Sequence, residues 1–376
     1  MLLPTLTYGF AIIYSFGKQG LLTKLFGRQF FEIYGFGGLL FGYSIYTLPV
    51  SFLLILNTMG YIDKKFSVVS RIMGDSPFKN FLQTVVRPLL GTLAASMVQC
   101  FFLCFTDYGI PASVGGEYDV VATVLYNEML GSVPNFNRGA VVAMMMLIPS
   151  VISIALLHYL ERYNIRYTKI SAVDLRKNRV RDGIFMAGSA MILLMLISVF
   201  AVIFVVPLVR EWPYQTSFTM EHVIDTLTDS SLFGVYQNSL FVAVCTAAAG
   251  LLITYGAALA TARSGLKGRL KAVIDSIALV TNTIPGMVIG IAFMFIFSGT
   301  PLQNTFLLII ICNVVHFFST PYLMMKNSLS KLNSSWEATA ALMGDSWIKT
   351  IVRIITPNMV STLLEVFGYY FVNAMV

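Results

Sequence analysis

Ile192-Leu193-Leu194-Met195-Leu196-Ile197-Ser198-Val199-Phe200-Ala201-Val202-Ile203-Phe204 is the centre of a run, 184–208, that contains no Asp, Glu, Lys or Arg. About 20 apolar residues, at 1.5 Å of rise each, are what a helix needs to cross roughly 30 Å of hydrocarbon. Lipid offers the backbone no hydrogen-bond partner, so only helices and closed barrels span it. The run is continuous and not alternating, which selects the helix. Outward from this run, the same reading finds nine apolar spans, near 2–16, 36–59, 89–111, 139–160, 184–208, 234–262, 272–298, 304–326 and 358–376. The first and last are short for a bilayer. Hydrophobic residues make up 57% of the chain and charged residues 11%, against about 25% charged in soluble domains. The expected fold class is therefore all-α transmembrane, a polytopic bundle of about nine spans.

The net charge of +7 does not mark a nucleic-acid partner, because the basic residues sit in short loops between apolar runs. Loops 60–88, 161–183, 263–272 and 326–357 hold 20 of the 25 Lys and Arg, and the alternate loops 17–35, 112–138, 209–233 and 299–303 hold the other 5. The positive-inside bias puts the first set in the cytoplasm, with Lys18, Lys24 and Arg28 dissenting. Cys100, Cys104, Cys245 and Cys312 all lie in apolar runs without companion ligands and read as small buried hydrophobes. No metal site and no cofactor are expected.

Met73-Gly74-Asp75-Ser76 recurs as Met343-Gly344-Asp345-Ser346, with Lys79 and Lys349 at equal spacing and Pro88 and Pro357 closing the two loops. Pro49 and Pro321 correspond upstream, and Pro4, Gly9 and Ala11 correspond to Pro285, Gly290 and Ala292. Both copies have the same membrane orientation, so they are parallel repeats. The copies are incomplete at opposite ends. The expectation is an internal fragment of a longer, twelve-span protein, a naturally short form being the alternative. The expected division is 1–160, a basic cytoplasmic linker at 161–183, and 184–376.

The stretch Trp336-Glu337-Ala338-Thr339-Ala340-Ala341-Leu342-Met343-Gly344, followed by Ile354, Thr356 and Pro357, resembles the signature cytoplasmic loop of the MetI-like permeases of binding-protein-dependent ABC importers. That signature is an acidic-Ala-Ala run, a glycine, then Ile-x-Leu-Pro ending thirteen residues later. Glu337 lies one residue too far from the glycine, and Thr356 stands where the pattern has Leu. The first copy departs more, with Val68-Val69-Ser70 in place of the acidic run. The physics of such a loop is two short helices joined at a glycine, with an Ala-rich half that lets another subunit come close. An amphipathic loop with a glycine C-cap is the plainer reading of either copy alone.

The resemblance implies two incomplete permease domains in a bacterial inner membrane, surrounded by lipid. It also implies cytoplasmic ATPase subunits and a periplasmic substrate-binding protein as partners. Its coupling loops would carry Gly74, Asp75, Pro88, Glu337, Ala338, Ala340, Gly344, Asp345 and Pro357, with 326–357 the stronger contact. Asn238-Ser239-Leu240 opens a span as it often does in these permeases. Phe105-Thr106-Asp107-Tyr108-Gly109-Ile110-Pro111, with Gly115-Gly116 behind it, resembles the ferric-iron and 2-aminoethylphosphonate branch, the latter more closely.

Pathway candidates are Asp107, Pro285, Gly286 and Glu365. Glu365 lies roughly 12 Å past Pro357 along its helix and is expected to face the bundle interior, lining the pathway or bonding a neighbouring helix. Asp107 is expected at the outer interface, solvated or touching substrate. Pro285 and Gly286 are expected to kink a span. His316 reads as a core histidine, and His158 and His222 carry no motif. The Gly-Lys-Ser/Thr phosphate loop and metal-binding HExxH signatures are absent. ATP would be hydrolysed by a partner, and the chain is expected to be no enzyme. An ion-gradient-driven secondary transporter and a non-functional fragment are the rival readings.

Overall fold

The computed structural model describes residues 3–29, 31–60, 62–63, 65–161, 178–281, 284–333 and 335–375. Most of the basic linker expected at 161–183 lies outside them. The described residues are mostly helical, with one small antiparallel hairpin, Val209–Glu211 against Gln215–Phe218. Among the described residues, five helices are long and apolar enough to cross a membrane: Phe36–Met59, Pro77–Thr106, Phe136–Ser153, Arg179–Leu208 and Ser230–Ala262. Two bent pairs, Phe306–His316 with Ser319–Lys331 and Trp347–Asn358 with Val360–Met375, bring the number to seven when each counts as one span.

Two of the nine expected spans are not single long helices. The first span is a helix of 12 residues, Thr5–Phe16, or about 18 Å at 1.5 Å per residue. The span expected at 272–298 is two helices, Gly268–Thr281 and Gly286–Ile296. Pro285 does not kink a continuous helix there. It ends the break, as the N-cap of the second helix, where its missing N–H costs nothing.

The chain divides into two compact units, 3–225 and 226–376. In the first, the core gathers Tyr8, Ile12, Ile33, Ile110 and Val114. Tyr8 meets Tyr46 and Phe200 edge-on, with ring centroids 5.5 and 5.4 Å apart, the geometry that ring quadrupoles favour. Val199 belongs to the same core. The Arg179–Val205 helix, which the repeat assigns to the second copy, therefore packs within the first unit. Loop 112–138 also contains a helix, Val121–Leu130, with Ala122, Leu125 and Met129 buried.

In the second unit the 33-residue helix Ser230–Ala262 is the central element. Ala247, Ala258 and Leu259 on it share a core with Tyr322, Met325 and Tyr370. Several polar groups inside this bundle pair with one another, as buried groups tend to. Thr254 and Tyr370 hydrogen-bond at 2.8 Å. The Tyr322 hydroxyl lies 2.8 Å from Thr261 Oγ1 and 2.6 Å from Asp275 Oδ1, and Lys326 pairs with the same carboxylate.

The approach of the long helix to Tyr370 depends on Gly250, where an added Cβ would lie 2.7 Å from the ring. Gly256 on the same helix has open space. Gly250→Val is expected to lower the thermal stability of the detergent-solubilised protein, since overpacking costs about 1–3 kcal/mol. Gly256→Val is expected to leave it within about 0.5 kcal/mol. Equal melting temperatures for the two variants would contradict this packing.

Candidate functional site

The Gly, Asp and Ser of the repeated Met-Gly-Asp-Ser motif each have a structural task, and the two copies perform it alike. Helix Lys65–Ile72 ends at Gly74, which has φ +81°, and helix Ser335–Leu342 ends at Gly344, which has φ +80°. Both ends are Schellman motifs. The Asp75 N–H donates to the Ser70 carbonyl and the Gly74 N–H to the Arg71 carbonyl, each at 3.1 Å. The Asp345 N–H donates to Ala340 at 2.9 Å and the Gly344 N–H to Ala341 at 3.0 Å. The serine then caps the next helix. Ser76 Oγ accepts from the Lys79 N–H and Ser346 Oγ from the Lys349 N–H, each at 3.3 Å. The aspartate pairs with the lysine four residues on, Asp75 with Lys79 at 2.6 Å and Asp345 with Lys349. This ammonium holds the Asp75 carboxyl below the ordinary aspartate range.

The glycines are needed for backbone conformation and not for close approach. An added Cβ at Gly74 or Gly344 would meet nothing within 4 Å. There is room for a side chain, but an L-residue resists positive φ.

After each turn the helix passes through a π segment, Leu82–Val86 or Ile351–Ile355. Arg87 N–H reaches back to Leu82 and Thr356 N–H to Ile351. Pro88 and Pro357 follow at once, at first-turn positions.

The crest of each turn carries large apolar side chains facing outward. Ile72 and Phe78 are 81% and 74% exposed, and their counterparts Leu342 and Ile348 are 89% and 68% exposed. Met73 and Met343 lie between them, also exposed. Ala338 is exposed and Ala340 buried, so the Ala-rich segment lies close to its own unit and presents only small groups outward.

Two residues with no sequence signal of their own hold the second loop. Arg263, counted only as a loop cation from sequence, lies 3.2 Å from Glu337 Oε1 with its side chain 6% exposed. Tyr255 hydrogen-bonds Thr356 at 2.8 Å. Thr356 is the residue that departs from the Ile-x-Leu-Pro pattern, and that departure was the available clue.

The pathway candidates are not gathered into one site. Asp107 is buried in the first unit, accepting from the Gly109 N–H at 3.2 Å and the Ile110 N–H at 3.0 Å. It caps helix Gly109–Val114 and is not a solvated helix end. Glu365, in the second unit, is exposed and accepts from Ser361 at 3.5 Å. Val366 and Tyr370, four residues apart, take the inward face of that helix. Within its own unit Glu365 therefore does not take the inward face expected for it. Pro285 is buried, and a Cβ on Gly286 would lie 3.0 Å from His316 Nε2, so the helix break packs against that histidine.

Residues 250–376 match the family described as binding-protein-dependent transport system inner membrane component. The ferric transport system permease protein FbpB of Actinobacillus pleuropneumoniae is 24% identical over 99% of this chain and 56% of its own length. FbpB 1 of Haemophilus influenzae is also 24% identical over 99% of the chain, and 61% of its own length is covered. The inner membrane ABC transporter permease protein YcjP of Escherichia coli is 24% identical over 42% of the chain and 56% of its own length. The chain thus spans about three-fifths of the length of the curated relatives it matches along its whole extent. No solved structure matches it. The chain resembles these transport permeases along its whole extent, and residues 250–376 resemble that inner membrane component; its long apolar helices fit a multi-pass protein of the bacterial inner membrane.

A left-handed backbone costs a non-glycine residue about 1–2 kcal/mol, with Asn partly exempt. Limited proteolysis within 335–357 is expected to quicken in the order Gly344→Asn, Gly344→Ala, Gly344→Val. Equal cleavage of all three would show that the turn does not govern this loop.

Proposed function

We propose that the chain is the membrane-embedded permease of an importer, passing a solute delivered by a periplasmic binding protein. ATP would be hydrolysed on separate cytoplasmic subunits. The observation that carries this reading is the pair of capped glycine turns with apolar crests. A loop in water does not expose Ile72, Phe78, Leu342 and Ile348 without cost, and contiguous exposed apolar side chains mark interaction sites. The partner is a protein with a matching apolar groove, one copy for each loop. The polar turn residues orient the crest, and its apolar residues fill the groove.

In this reading loops 60–88, 161–183, 263–272 and 326–357 face the cytoplasm. Residues 1–160 and 184–376 are parts of two permease domains, although the compact units divide at 225–226. Gly74, Asp75 and Pro88 shape the first coupler, and Glu337, Ala338, Ala340, Gly344, Asp345 and Pro357 the second. ATP binding would shift an equilibrium between inward- and outward-open states. An ion-gradient transporter has no use for two such crests.

For the cargo we favour ferric iron, the solute named for the relatives that match along the whole chain. 2-Aminoethylphosphonate, expected from the 105–116 segment, finds no support among them.

Leu342→Asp is expected to cut co-purification of the ATPase at least tenfold. Val133→Asp, equally exposed at 87% but in the opposite loop set, is expected to leave it unchanged. Retained ATPase with Leu342→Asp would overturn the docking reading. Uptake of radiolabelled iron(III), but not of 2-aminoethylphosphonate, is expected of the assembled transporter; the reverse would reassign the cargo.

A further inference from the structure

We propose that Arg263 and Tyr255 are positioning residues that pass displacement of the 335–357 loop to the long helix Ser230–Ala262. The proposal rests on the reading of that loop as the ATPase contact and goes on to name its mechanical link.

Arg263 is the C-cap residue of the long helix. Its Nη1 lies 3.2 Å from Glu337 Oε1, 3.4 Å from Oε2 and 3.5 Å from the Asn333 carbonyl. Its Nε and Nη2 are buried and find no partner among the described residues. The guanidinium charge is therefore compensated mainly by Glu337. A buried charge cannot let go of its counter-ion and turn to water instead. When Glu337 moves, Arg263 must follow. The second tie is at the other end of the loop, where the Thr356 hydroxyl bonds Tyr255 at 2.8 Å. Residues 255 and 263 are about 12 Å apart along one helix. The loop is thus held at both ends by the same rigid rod. Ser264 and Lys271 secure the turn that follows, Lys271 Nζ donating to the Ser264 carbonyl at 2.8 Å.

The first loop is braced differently. Asn80, buried, donates its amide to the Ser67 carbonyl at 3.1 Å, and Ser70 donates to Asp75 at 2.8 Å. In the second copy Thr350 stands at the position of Asn80 and Ala340 at that of Ser70. Neither can form the corresponding brace, since alanine has no donor and threonine no amide. These braces of the first loop lie within it, and those of the second run to a span.

The test uses the whole transporter with its ATPase and binding protein, in proteoliposomes. Radiolabelled iron(III) is the cargo probe and 2-aminoethylphosphonate the second. Arg263→Gln and Tyr255→Phe are expected to keep ATPase co-purification. Uptake per ATP hydrolysed is expected to fall at least tenfold in the first and about threefold in the second. The exchange Arg263→Glu with Glu337→Arg is expected to recover at least half of the loss seen with Arg263→Glu alone. Unchanged uptake per ATP in Tyr255→Phe and Arg263→Gln would overturn the proposal. So would an exchange no better than the single variant, or loss of the ATPase from Arg263→Gln, which would make the residue part of docking. Tyr255→Phe removes one hydroxyl only and keeps the test open should the arginine variants misfold. Retained ATPase in Leu342→Asp, or wild-type uptake of neither cargo, would instead remove the underlying reading and the inference with it.

Discussion

A backbone N–H or C=O left without a partner in hydrocarbon costs several kcal/mol, and the departures from straight helix in this chain follow from that cost. Proline removes a donor, so each proline near a span needs an arrangement that tolerates the loss. Before Pro88 and Pro357 the ladder shifts to π spacing, so neither proline interrupts a regular i, i+4 ladder. Pro285 sits at an N-cap. Pro49 lies inside its helix, among side-chain hydroxyls that bond carbonyls of the same helix, Thr47 to Tyr43 at 2.7 Å and Ser51 to Thr47 at 2.9 Å. The same accounting makes Asp107 a cap for Gly109 and Ile110.

The two polar loops add a second layer. Their shared geometry comes from short-range rules: a left-handed glycine, a serine cap and an i, i+4 ion pair. Their difference comes from the surroundings. The first loop is closed by Asn80 and Ser70, and the second by Arg263 and Tyr255 on a span. Two loops of identical turn geometry thus have unlike mechanical connections. On the proposed reading of the loops as partner contacts, that difference would make their coupling unequal without any difference in the turns themselves.

Local signals were legible in the sequence, and rotational ones were not. The glycine turns could be read because the Gly, Asp and Ser of Met-Gly-Asp-Ser each act within a few positions of themselves. Spans such as 36–59 could be read because their length and apolar character leave no other solution in lipid. Helix rotation does not follow from length, so Glu365 was expected inward, whereas Val366 and Tyr370 hold that face. Burial of Asp107 depends on the neighbouring helix it caps, which hydropathy does not reveal. The packing of Val199 in the first unit is a tertiary choice that repeat arithmetic cannot see. Arg263 looked like one loop cation among twenty, and only its buried contact with Glu337 separates it from the rest.

The central claim is that both apolar crests face the cytoplasm and meet a partner there. Side-specific labelling tests it most directly. In a background with Cys100, Cys104, Cys245 and Cys312 replaced by serine, single cysteines are placed at Ile72, Leu342 and Val133. A membrane-impermeant maleimide is then applied to intact spheroplasts and to inverted vesicles stripped of the ATPase. The account predicts that the first two label only in inverted vesicles and are shielded when the ATPase is added back, while Val133→Cys labels only in spheroplasts. Labelling of Leu342→Cys from the outside, or labelling indifferent to the ATPase, would contradict it.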